Sequence, residues 1–130
     1  MRLLTLALAL AAPEAWAQDE LVEAGLSETE LERFREGVAA LQEERFKDAQ
    51  GQFWRVHLTN RGHPQTLLGL GQAYRGEEQL AEALQWFDEC AHLLDDCAYS
   101  AGELALEIGN IDEAVDRLER LSGEQSPEVQ

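Results

Sequence analysis

The chain has 130 residues, and 26 acidic against 10 basic side chains give it a net charge of −16. That length allows one domain with a modest core. Such an acidic surplus argues against nucleic acid or an anionic lipid surface as a ligand.

From the N-terminus, Arg2 precedes the apolar run LLTLALALAA (Leu3 to Ala12), and Ala15 and Ala17 in PEAWAQ fit the small-x-small rule for signal peptidase. Residues 1–17 therefore read as a signal peptide of bacterial form, cleaved after Ala17, with the mature protein periplasmic or secreted. Ten apolar residues fall short of the ~20 that cross a bilayer, so a membrane anchor is the weaker reading, and no membrane insertion is expected after cleavage. Between Gln18 and Arg75 the chain carries seven basic and ten acidic residues; from Gly76 onward it carries two and fifteen. The acidic half would attract a basic partner or cations, or serve only as a solvated surface that keeps an exported protein soluble.

No stretch alternates with a period of two, and the rest of the chain reads as helix. Residues 18–26 are expected to be flexible. SETE (Ser27 to Glu30) is a capping box flanked by Leu26 and Leu31 at staple spacing. Leu31, Phe34, Val38 and Leu41 then mark one helical face. Pro64 suits a first helical turn, and NIDE (Asn110 to Glu113) repeats the N-cap logic. Residues 123–130 are expected to be a disordered tail.

The chain also repeats itself. GVAALQEERFKDAQGQF from Gly37, GQAYRGEEQLAEALQWF from Gly71 and GELALEIGNIDEAVDRL from Gly102 share four positions. These are the glycine, a large apolar residue (Phe46, Leu80, Ile111), an alanine (Ala49, Ala83, Ala114) and a second large apolar residue (Phe53, Phe87, Leu118). The glycine lets two helices approach closely and the alanine opens the same contact from the other side. One helix pair cannot bury its face alone, so copies must stack. The offsets are 34 and then 31 residues.

This pattern resembles the tetratricopeptide repeat family, best in the second copy. There Leu67, Leu70, Gly71, Tyr74, Ala83 and Phe87 follow the family's W-x2-L-G-x2-Y, A and F signature, with Leu67 in place of Trp. In the first copy Arg33 and Glu36 stand where large apolar residues are usual, so its first helix is expected to sit rotated. The third uses Ala98, Ala101, Ala105 and Leu118 instead of aromatics. The resemblance implies an all-α solenoid, a right-handed superhelix of three antiparallel helix pairs over residues 27–122. The expected spans are 28–42 and 45–58, 64–76 and 78–94, and 96–108 and 110–122. A polar capping helix after the last pair is missing, which leaves Leu118 and Leu121 near an open end that invites a homodimer or a partner's helix.

No G-x-S-x-G, Walker loop or H-E-x-x-H occurs, so the chain reads as a non-enzyme without a cofactor. Glu43/Glu44 and Glu77/Glu78 fall at turns as solvated residues and partners of helix N-termini. Cys90, His92, Asp95, Asp96 and Cys97 hold zinc-type side chains, but not at the usual C-x2–4-C spacing with a second pair. Cys90 and His92, two apart on a helix, face different ways. No metal site is expected.

Binding remains. The resemblance implies that the first helices of the pairs line a groove, here Phe34, Val38 and Leu41, then Leu68, Gln72 and Arg75, then Tyr99, Glu103, Leu106 and Glu107. The family's Lys/Asn/Arg carboxylate clamp is missing, since Arg75 is the lone base in that set. A basic or amphipathic protein segment is therefore the favoured partner. The expected function is an exported adaptor for an envelope or secretion-system protein; the alternative is a self-assembly module stacking through its third repeat. Trp54 and Trp86 more readily cover the convex side or the stack between pairs than form a ligand box.

The register finally places Cys90 at the end of one helix and Cys97 at the start of the next, across the connection that is three residues short, with Asp95 or Asp96 as N-cap. A short turn brings the two within the about 5.5–6 Å Cα separation of a disulfide, and export supplies the oxidant. The other reading is two buried thiols in small positions between pairs.

Overall fold

The structure is a computed structural model and describes residues 23–122. The expected signal peptide at 1–17, residues 18–22 of the expected N-terminal stretch and the expected tail 123–130 lie outside the described residues. The described part is all-α and has six helices: α1 Glu28–Gln42, α2 Phe46–Thr59, α3 Pro64–Gly76, α4 Leu80–Cys90, α5 Asp95–Ile108 and α6 Ile111–Ser122. Consecutive helices pack into pairs α1–α2, α3–α4 and α5–α6, and the pairs stack in chain order through α2–α3 and α4–α5. No helix among the described residues is long and apolar enough to cross a membrane.

Local signals explain the helix starts. Ser27 Oγ accepts from the Glu30 amide at 3.1 Å while Glu30 Oε1 accepts from the Ser27 amide at 2.9 Å, closing the capping box. Asn110 Oδ1 accepts from the Glu113 amide at 3.2 Å at the head of α6. Pro64 opens α3. Ahead of α1, Glu23 forms a two-pronged ion pair with Arg35 at 2.8 and 2.9 Å, and the Asn60 side-chain amide donates to Gly25 O at 2.9 Å. Residues 23–26 are thus tied to α1 and to the end of α2.

The repeated positions meet as the spacing requires. A Cβ on Gly37 would stand 2.8 Å from the Phe53 ring, one on Gly71 would strike Phe87, and one on Gly102 would lie 2.6 Å from Leu118. Ala49, Ala83 and Ala114 are fully buried beside these contacts, and the Tyr74 hydroxyl accepts from Trp54 Nε1 at 2.9 Å. Since Gly37 meets Phe53 as Gly71 meets Phe87, the first helix is not rotated. Among the described residues no earlier pair packs on the side of α1 that carries Arg33 and Glu36, and Glu36 is exposed. Their equivalents one pair later, Leu67 and Leu70, are buried against α2 because a pair does precede them.

Each pair turns through a left-handed residue at one repeat position. Glu44 and Glu78 both have φ 61°, and Gly109 has φ 99°. A glutamate there costs roughly 1 kcal/mol that a glycine does not. Glu43 and Glu77 are C-caps, so these acidic pairs close helices rather than partner the N-termini that follow.

The second helix of the middle pair is the element that differs most from expectation, spanning 80–90 in place of 78–94; the other boundaries agree within one residue. The α2–α3 and α4–α5 connections are both four residues long, and the three missing residues come out of α4, which has 11 residues against 14 in α2. Leu94 is the N-cap of α5, and Asp95 and Asp96 lie in its first turn, where their charge favours the helix dipole.

Candidate binding face

α1, α3 and α5 supply the residues expected to face a ligand, and the structure divides them. Phe34 and Leu68 are 1% and 0% exposed and belong to the core, not to a ligand face. Phe34 packs edge-on against Phe53 and His63, with ring centroids 5.7 and 5.3 Å apart. Leu68 is enclosed because α3 is the central helix, packed by α2 and α4 and touched by α1, so nearly its whole circumference is buried. Val38 and Leu41 are half-buried against the same core. Gln72 and Arg75 are half-buried on α3; Tyr99, Glu103, Leu106 and Glu107 are exposed on α5.

The exposed set forms a stripe. Tyr99 and Leu106 are two helical turns apart, 52% and 47% exposed, with Glu103 between them. Arg75 Nη2 donates to Glu107 Oε1 at 2.7 Å, joining α3 to α5 and spending the base of this face on an internal pair. What α5 offers outward is an aromatic, a carboxylate and an aliphatic side chain in a row.

Trp54, His57, Tyr74 and Trp86 form a second cluster, in the stack between the first two pairs. Trp54 meets Trp86 at 5.3 Å and 87°, and His57 lies 5.4 Å from Trp54 and 5.2 Å from Trp86. These rings fill one another's space and leave no box for a ligand. His57 is 6% exposed, and its Nδ1 has no hydrogen-bond partner among the described residues. Burial holds its pKa below the ordinary histidine value; Arg61 pushes the same way and Glu89 opposes. The unfolded chain, with histidine near about 6.5, therefore takes up a proton before the folded one does. His57 contributes stability above about pH 6.5 that is lost as the pH falls below it. Between about pH 7 and pH 5 the wild type should therefore lose melting temperature relative to His57→Gln, whatever the common slope of the two curves. A profile identical in the two proteins would contradict this.

Cys90 and Cys97 form a disulfide with Cα atoms 5.7 Å apart, joining the last residue of α4 to the first turn of α5. Both residues are 0% exposed. Their sulfurs are bonded to each other and so serve neither as thiolate ligands nor as an open redox pair, and the two-thiol reading is set aside. Among the described residues no group of three or more His, Cys, Asp or Glu could hold a metal ion.

At the far end, Leu118 packs on Gly102 and is half-buried, as is Leu121. The open apolar residues are instead Ile108, Ile111 and Val115, exposed by 45%, 60% and 46%. The repeat register could have identified the last two, because they stand where Phe46 and Gln50 stand in the first copy. The chain matches no family model, no curated protein and no solved structure.

Proposed function

We propose that the protein is an exported, tetratricopeptide-like adaptor. It holds a basic or amphipathic segment of an envelope or secretion-system protein against the odd-numbered helices. One observation carries the reading: Tyr99, Glu103 and Leu106 stand uncovered in a row on α5, apolar anchors on either side of a carboxylate. A helix or strand with a Lys or Arg between two apolar residues complements that stripe. The Arg75–Glu107 pair supports the preference for basic ligands, because the guanidinium that would welcome an acidic tail is already engaged. Export is supported by the N-terminal Arg2, apolar run and Ala15-x-Ala17 pattern, and by a buried disulfide, which suits an oxidising compartment. On this reading the chain carries no catalytic chemistry and presents a binding surface.

Site-specific photocrosslinking from positions 99 and 106 in the bacterial envelope tests the proposal. A discrete partner should be captured, and Tyr99→Ala with Leu106→Ala should weaken its binding by about tenfold to a hundredfold, the range for losing two anchors. Glu103→Lys should weaken it as well. A captured partner whose affinity is unchanged by all three substitutions would exclude this face.

A further inference from the structure

The two ends of the stack fit each other. Within the protein, each pair docks on the next through three residues of its second helix. On α2 these are Phe46, Gln50 and Trp54. Phe46 covers Gly76, the Gln50 side-chain amide donates to Ala73 O at 3.4 Å, and Trp54 reaches Tyr74 and Trp86. On α4 the same positions are Leu80, Leu84 and Asp88. The leucines pack partly on the core, and Asp88 pairs with Arg117, which occupies the position of Trp86. On α6 they are Ile111, Val115 and Glu119, and all three are exposed.

Among the described residues the receiving surface is also uncovered at the other end. The first-copy equivalents of Ala73, Tyr74 and Trp86 are Ala39, Ala40 and Gln52. They line an open notch of about 540 Å³ between α1 and α2. Two alanines and Gly51 make it deep, a Cβ on Gly51 meets nothing within 4 Å, and Gln52 Oε1 is buried without a hydrogen-bond partner among the described residues. Arg45, Lys47 and Arg55 line it with Glu36 and Asp48; Arg45 is engaged by Glu43 and Asp48 and Lys47 by Glu77, so Arg55 is the base there without an ion pair among the described residues. Beside Ile111 and Val115, α6 carries Asp112, Asp116 and Glu119. On the donor helix Asp116 pairs with Arg120, which leaves Asp112 and Glu119 to meet Arg55 across the contact.

We infer that a second copy of this chain is the occupant: α6 of one molecule docks head-to-tail in the α1–α2 notch of the next, continuing the stack across molecules. The contact is heterologous, since donor and acceptor are different surfaces, so each added copy presents a further donor and the assembly grows beyond a dimer.

Sedimentation velocity of the purified chain over a wide concentration range, with two variants, tests this. Val115→Arg blocks the donor helix and leaves the notch intact. Gly51→Phe fills the notch and leaves α6 intact; both sites are exposed, and circular dichroism checks the folds. The wild type should grow from monomer to a ladder of oligomers. Each variant alone should be shifted toward monomer by about tenfold or more in association constant. The equimolar mixture should form a one-to-one dimer and stop there, because only one productive interface remains. A wild type that stays monomeric throughout, as when the chain's own termini cover these ends, overturns the inference. So does a mixture that behaves as the sum of its components, which would mark a face-to-face α6 dimer instead.

Discussion

Phe53→Ala should cost about 3–5 kcal/mol, a large share of the stability of a domain this size. The Phe53 side chain is fully buried, and its ring lies in the narrow space where α1 and α3 come closest to α2. A Cβ on Gly37 would stand 2.8 Å from the ring, and one on Gly69 would stand 2.6 Å away. The ring is thus clasped by backbone on two sides, with the Phe34 ring edge-on at 5.7 Å. Glycines offer no side chain that could swing into the vacated space, and both helices are held in place by their other contacts. The cavity therefore stays open, which is the condition under which a large-to-small change is most damaging. The register equivalent Leu118 supplies an internal control. It also meets a glycine, Gly102, but it is half-buried at the open end, so Leu118→Ala should cost about 1–2 kcal/mol. Urea unfolding followed by circular dichroism compares the two. A Phe53→Ala protein less than about 1.5 kcal/mol weaker than wild type would contradict the clasp.

Much of this contact was legible in the sequence, because a glycine and a large apolar residue at a fixed distance in three copies state a helix-helix crossing without naming its geometry. The caps were legible for the same reason: Ser27 with Glu30, and Asn110 with Glu113, pair chemically at a spacing only a helix start satisfies. Other features were not. A shift from 34 to 31 residues says that three residues are gone, but only the backbone hydrogen bonds show that α4 lost them and the connection did not. Nothing in Glu44 or Glu78 announces a left-handed residue; only their alignment with Gly109 makes sense of it, after the fact. The binding face failed at Phe34 and Leu68 because the resemblance describes long arrays. Here Leu68 lies on the central helix α3, which is enclosed on nearly every side, and Phe34 on α1 turns inward onto Phe53 and His63, so both complete the core.

The disulfide matters most where the stack is thinnest. The α4–α5 seam is less extensive than the α2–α3 seam, in keeping with the shortened α4, which offers one turn less to the pair that follows. Cys90 and Cys97 bridge this seam, at positions that correspond in the register to the fully buried Val56 and Thr66 of the first seam. Closing so short a loop is worth about 2–3 kcal/mol through the chain entropy of the unfolded state. Replacing both cysteines by alanine should lower stability by that amount, and the loss should be uneven along the chain. Stability in a stacked array is a sum of units and their interfaces, so removing one interface frees the unit beyond it. Amide exchange in α5 and α6 should therefore speed up much more than in α1, α2 and α3. Trp54 and Trp86 lie in α2 and α4 and should report a later transition than the loss of helix measured by circular dichroism. In the wild type, a reductant should act only as fast as the seam opens, because neither sulfur is exposed. A double-alanine protein that exchanges uniformly faster over all six helices would mean that the bridge stabilises the whole array as one unit, and that the third pair has no independent freedom to lose.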